Sequence, residues 1–61
     1  MMATYIMRRD NARKYYWILK SDENGKTIAM SSEAYESKQG ADNSIAWTRA
    51  NAKDAAYEDL T

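Results

Sequence analysis

The chain has no cysteine and no histidine among its 61 residues. Without cysteine there are no disulfides and no thiolate metal sites. Without histidine the chain lacks the commonest metal ligand and the side chain that titrates nearest neutrality. It holds only two glycines, Gly25 and Gly40, too few for a glycine-rich phosphate loop. No apolar run approaches the roughly 20 residues that span a bilayer. The opening MMATYIMRRD places its arginines after a short apolar stretch, so it does not read as a secretory signal. These absences point to a soluble, cytoplasmic protein with no membrane association. The missing thiols suit a reducing compartment.

Catalytic pairs are missing as well. With no histidine or cysteine there is no evident nucleophile–base pair. Ser31, Ser32, Ser37 and Ser44 have no activating partner in sequence. Ser37 and Lys38 are adjacent, and i,i+1 side chains on a helix do not face each other. Glu33, Glu36, Asp54, Glu58 and Asp59 are hard ligands without calcium-loop spacing, and read as solvated charge. Enzyme activity is not expected, nor a cofactor or a bound metal.

What is present is a single small domain, residues 1–61. A chain of this size buries only about 60% of its unfolded surface. Small domains compensate with disulfides, a metal or oligomerisation, and here only the last route is open. Net charge is zero but unevenly spread: residues 1–20 carry +4 and residues 21–61 carry −4. Such asymmetry marks either a nucleic-acid surface or two halves that pair with each other.

Residues 3–9, ATYIMRR, read as a first strand, followed by the turn formers Asp10 and Asn11. Residues 14–21 read as a second strand, rich in aromatic and β-branched side chains. Tyr15, Trp17 and Leu19 point to one face, and Tyr16 and Ile18 to the other. Asn24-Gly25 predicts a type I′ hairpin turn, and residues 26–32 a third strand. The period then changes. Ser37 is a candidate N-cap for a helix from Lys38 to about Asn51, with Ala41, Ile45, Thr48 and Ala52 on one stripe. Gly40 in its first turn costs about 1 kcal/mol relative to alanine. The closing AAYEDLT, residues 55–61, reads as a short strand or a frayed tail. The expected fold is therefore α+β, in the order β-β-β-α-β. One helix lies on a sheet face carrying Tyr5, Met7, Tyr15, Trp17, Leu19 and Ile28, and Tyr35 packs under the helix.

The residues Tyr15-x-Trp17-x-Leu19-Lys20, Asn24-Gly25, Ile28-Ala29, Ser32-Glu33-Ala34-Tyr35, Ser37-Lys38, Ala41, Asn43, Ile45 and Asn51-Ala52 occur in that order. In this respect the chain resembles the YegP-like domains, a family of small bacterial proteins of unknown function, across nearly its whole length. The resemblance implies a β₃-α-β unit. It also implies a homodimer that builds one common sheet and exchanges its C-terminal strands. Residues 55–61 would then be the exchanged strand, and acidic Glu58 and Asp59 would enter a basic sheet. Tyr5, Tyr15, Trp17, Leu19, Trp47, Tyr57 and Leu60 become the expected core and dimer residues, with Trp47, at the edge of the helix stripe, either covering the seam or staying partly exposed as a binding aromatic. Five departures stand out. Ala34 and Ser44 occupy positions where glycine is expected. The spacing from Gly25 to Tyr35 is one residue long, which a bulge would absorb. Tyr16 and Ile18 are apolar where the family tends to carry polar side chains.

Those last two set the candidate binding surface. Ile6, Tyr16 and Ile18, flanked by Arg8 and Lys20, form an outward patch of the kind that marks partner sites. Two functional readings follow. The first is a non-enzymatic homodimer that serves as a protein-interaction or structural module. The second is nucleic-acid binding, with Arg8, Arg13, Lys14 and Lys20 on phosphates and Tyr16 stacking on a base. A neutral chain with a pI near 6.1 favours the first, because nucleic-acid-binding domains are commonly strongly basic.

Overall fold

The computed structural model describes residues 2–61. Three strands, β1 (Ala3–Arg9), β2 (Tyr15–Ser21) and β3 (Thr27–Met30), are followed by one helix, α1 (Lys38–Asn51), and a 3₁₀ turn at Ala52–Asp54. The sheet is antiparallel in the order β1-β2-β3. The fold is α+β; β1, β2 and the helix stand within a residue of where the sequence predicts them, and β3 is shorter than predicted.

The β1–β2 register is regular, pairing Tyr5 with Leu19, Met7 with Trp17 and Arg9 with Tyr15. Directly opposed residues share a face, so these six form one side of the sheet. Ile6 with Ile18 and Arg8 with Tyr16 form the other. The connecting turn is built on Asp10, whose carboxylate accepts from the Ala12 and Lys14 amides, each at 2.9 Å. It closes with Arg13 at φ 65°, a left-handed conformation that the residue types did not signal.

The second turn differs from the expectation. A type I′ turn needs positive φ at both central residues, but of the pair only Gly25 has it, at φ 71°. The loop Asp22–Gly25 instead closes through the Gly25 amide on the Ser21 carbonyl at 2.9 Å. The Asn24 side chain accepts from the Lys26 amide at 3.0 Å. The third strand is correspondingly shorter than residues 26–32.

A register shift then separates Leu19↔Ala29 from Lys20↔Thr27. Ile28 is the extra residue, so the bulge suggested by the long Gly25–Tyr35 spacing is present. It also removes Ile28 from the core face: Ala29 takes the place opposite Leu19, and Ile28 is 60% exposed. After β3 the chain bows out and returns at Tyr35, whose amide and carbonyl pair with those of Tyr15 at 2.6 and 2.8 Å. Ala34 needs no left-handed backbone there, since Arg13 is the one non-glycine residue with positive φ among the described residues.

Ser37 caps α1 by accepting from the Gly40 amide at 3.0 Å. A methyl group at position 40 would meet Ser37 Oγ at 3.2 Å and Tyr35 Cδ1 at 3.6 Å. Glycine thus lets the first turn close down over Tyr35. The helix rests on β2, with Ala41 fully buried and Trp17 6% exposed. Ala52, expected on the helix stripe, lies beyond α1 in the 3₁₀ turn and is exposed. Residues 55–61 form no strand within the single chain and are exposed throughout.

Candidate functional site

The core is organised around Trp17. Its ring meets Tyr5 edge-on, with centroids 5.3 Å apart and planes at 69°, the arrangement that the ring quadrupoles favour. Its indole N–H donates to Ser44 Oγ at 2.7 Å, and that hydroxyl donates to the Ala41 carbonyl at 2.9 Å. The residue expected to be glycine is therefore the acceptor that satisfies a buried donor. Sequence reading missed this role, although Ser44 lies beside Ile45 on the inward stripe. Tyr5, Tyr15 and Leu19 are half-buried on the same sheet face. Tyr15 also receives the Arg9 guanidinium 4.7 Å from its ring centroid.

Beside this core lies an open groove of about 440 Å³, lined by Trp17, Met30, Ser32, Tyr35, Ser44, Trp47 and Thr48. Trp47 is 68% exposed and forms the groove's helix-side wall. Tyr57 and Leu60, expected as dimer residues, are 89% and 85% exposed and touch no core within the chain.

On the opposite side of the sheet the pairings place Ile6, Tyr16 and Ile18 together, with Arg8 on one flank and Lys20 on the other. Each of the three apolar residues is half-buried, because cross-strand neighbours shield one another. The helix covers the Trp17 side, so among the described residues no element packs on this face. Met30, at the register position opposite Ile18, borders both this face and the groove from the edge strand. The ion pair among the described residues joins Lys14 to Glu36 at 3.2 Å, which leaves Arg8 and Lys20 without a carboxylate within 4.0 Å. No group of three or more carboxylates converges among the described residues. No described helix is long and apolar enough to cross a membrane. In the tail, the Thr61 hydroxyl and then its amide donate to the Asp59 carboxylate and hold its pKa below the usual value.

Comparison with known proteins agrees with this architecture. Residues 10–59 match DUF1508, a domain of unknown function, which is the YegP-like family. An NMR solution structure of a protein from Haloferax volcanii is similar over 95% of both chains, at 40% identity and a TM-score of 0.85. No curated protein matches the chain. The chain belongs to the DUF1508 family.

Proposed function

We propose that the chain is a non-enzymatic, self-assembling interaction module: a homodimer in which each copy lends residues 55–61 to the sheet of the other. The observation that carries this reading is the poverty of the single-chain core. Among the described residues only Trp17 and Ala41 are buried. The accessible surface is 5226 Å², against about 4000 Å² for a compact monomer of this mass. The radius of gyration is 12.8 Å, against about 10.5 Å for a compact chain of this length. The excess is of the size that a specific dimer interface buries.

The tail supplies the complementary part. β1 is an outer strand of seven residues ending in Arg8 and Arg9, and residues 55–61 match it in length while carrying Glu58 and Asp59. Adding a strand there would satisfy an open edge that otherwise invites aggregation and would bring one of Tyr57 and Leu60, which have opposite parity, to the helix-covered face. The open face of Ile6, Tyr16 and Ile18 would remain free to receive another protein.

Light scattering across a dilution series tests the assembly. The full chain is expected to hold a mass near twice 7.0 kDa, and a chain ending at Asp54 to lose it. A folded full-length monomer would refute the exchange.

A further inference from the structure

Glu58 and Asp59 are consecutive in the tail, so in an extended strand their carboxylates leave on opposite faces. Whatever register residues 55–61 take against β1, one carboxylate lies on the open face of the sheet and the other on the face that α1 covers. The β1 margin carries a cation on each of those faces. Arg8 lies on the open face, with Ile6 and Tyr16. On the covered face Arg49 of α1 borders a groove of about 350 Å³, lined with it by Ala3, Thr4 and Tyr5 of β1.

The other charges along this edge are already engaged. Arg9 shares the covered face, but its guanidinium sits 4.7 Å from the Tyr15 ring centroid and donates to the Arg13 carbonyl at 3.2 Å. Asp22 accepts from the Thr4 hydroxyl at 2.7 Å, beside Lys20, which pairs with Thr4. Arg8 is four residues further along β1, about 13 Å away. The ion pair among the described residues joins Lys14 to Glu36, so neither Arg8 nor Arg49 has a carboxylate within 4.0 Å. An added strand with one carboxylate opposite Arg8 places the other opposite Met7. From there Tyr5 and the Arg49 groove are one two-residue step away, about 7 Å, a gap that the two charged side chains close between them.

We infer that Glu58 and Asp59 form a charge clamp astride β1 that selects a second copy of this chain, one carboxylate on Arg8 and the other on Arg49. The inference rests on the strand-exchange reading. A bare sheet edge accepts any extended backbone. The clamp restricts it to a strand with adjacent acids, the specificity that charge pairs supply at an interface.

The test uses two full-length variants and light scattering. One carries Glu58→Lys with Asp59→Lys, and the other Arg8→Glu with Arg49→Glu. Alone, each sets like charges against each other twice in a symmetric dimer and is expected to weaken association about tenfold or more. Mixed in equal amounts, the lysine tail meets the glutamate edge and the native tail meets the arginine edge. The mixture should therefore recover a mass near twice 7.0 kDa, a rescue that misfolding of either variant cannot produce. Arg49→Glu alone should also weaken the parent dimer, and the parent dimer should weaken as salt rises. A parent that is monomeric overturns the exchange and the clamp together. A dimeric parent overturns the clamp alone if each variant dimerises as well as the parent, if the mixture stays monomeric, or if Arg49→Glu changes nothing.

Discussion

Replacing Ser44 with alanine probes the junction between helix and sheet with one atom. The Trp17 ring is 6% exposed, and its N–H donates to Ser44 Oγ at 2.7 Å. Alanine keeps the helix and removes the acceptor. A buried donor left without a partner costs about 1–3 kcal/mol. Alanine's better helix propensity returns a few tenths of a kcal/mol. The net expectation is a loss of about 1–2 kcal/mol, equivalent to roughly 4–16 °C in Tm for a domain of this size.

The assay is urea and thermal unfolding followed by circular dichroism at fixed protein concentration, since assembly makes Tm concentration-dependent. A second background isolates the bond. Trp17→Phe removes the donor, so Ser44→Ala made on top of it should cost close to nothing. A coupling near 1 kcal/mol between the two sites is the signature. If Ser44→Ala is as stable as the parent, or if its cost is the same in the Trp17→Phe background, the hydrogen bond is not what joins α1 to β2.

Four further outcomes follow from the backbone, the core and the tail. Arg13→Gly should stabilise the fold by about 0.5–1 kcal/mol, because glycine escapes the steric cost of φ 65° at a smaller entropic loss; a fall in urea midpoint would contradict this. Gly25→Ala should cost about 1 kcal/mol or more through backbone strain alone, since φ is 71° and no atom lies within 4 Å of the added methyl. Ala41→Leu should destabilise by about 1–3 kcal/mol through overpacking, whereas Ile28→Thr at the exposed bulge should stay within about 0.5 kcal/mol of the parent; similar effects at the two sites would mean that the helix does not seat on β2 as described. A carboxyl titration by NMR should place Asp59 below the usual aspartate midpoint, and Thr61→Ala should raise it by removing the hydroxyl bond, the larger cause. The sign is that of a carboxylate favoured in its charged form: the bond is present near neutrality and lost as pH falls through the lowered pKa. Because Asp59 is fully exposed in the tail, global unfolding should not follow that titration.

Local chemistry made most of the architecture readable. Alternation around Trp17 set the faces of β2 and Ser37 marked the start of α1, while the bulge was announced only by the resemblance, against which the Gly25–Tyr35 spacing is one residue long. The errors came where several local solutions compete. Asn-Gly fits a two-residue turn, yet Asp22 and Glu23 extend it to four residues, with Asn24 turned to hold the Lys26 amide through its side chain. Ile28 has a strand-forming, core-like side chain, but the inserted residue costs it its place on the core face. The left-handed backbone at Arg13 left no trace in residue type, because Asp10 imposes it through the amides of Ala12 and Lys14.

The candidate site was legible to a different depth on each side of the sheet. Period put Ile6, Arg8, Tyr16, Ile18 and Lys20 on one face, the departure from the family pattern at Tyr16 and Ile18 singled that face out, and the β1–β2 register groups the five residues. The Ser44 acceptor was not legible in this way, because its donor lies 27 residues away. The one signal was a hydroxyl on the inward helix stripe facing a strand that carries a tryptophan, and a buried indole N–H must find an acceptor. Residues 55–61 mark the remaining gap. Their alternation permits a strand, but a strand is defined by the edge it joins. In the single chain Tyr57 and Leu60 are exposed, whereas β1 has one side unpaired and positive residues at its end. If a second copy supplies the missing pairing, the order of residues 55–61 becomes a property of concentration rather than of sequence. Hydrogen exchange of alternate amides within residues 55–61, those that face β1, should then slow as protein concentration rises. Exchange that stays fast at every concentration would leave the segment a tail.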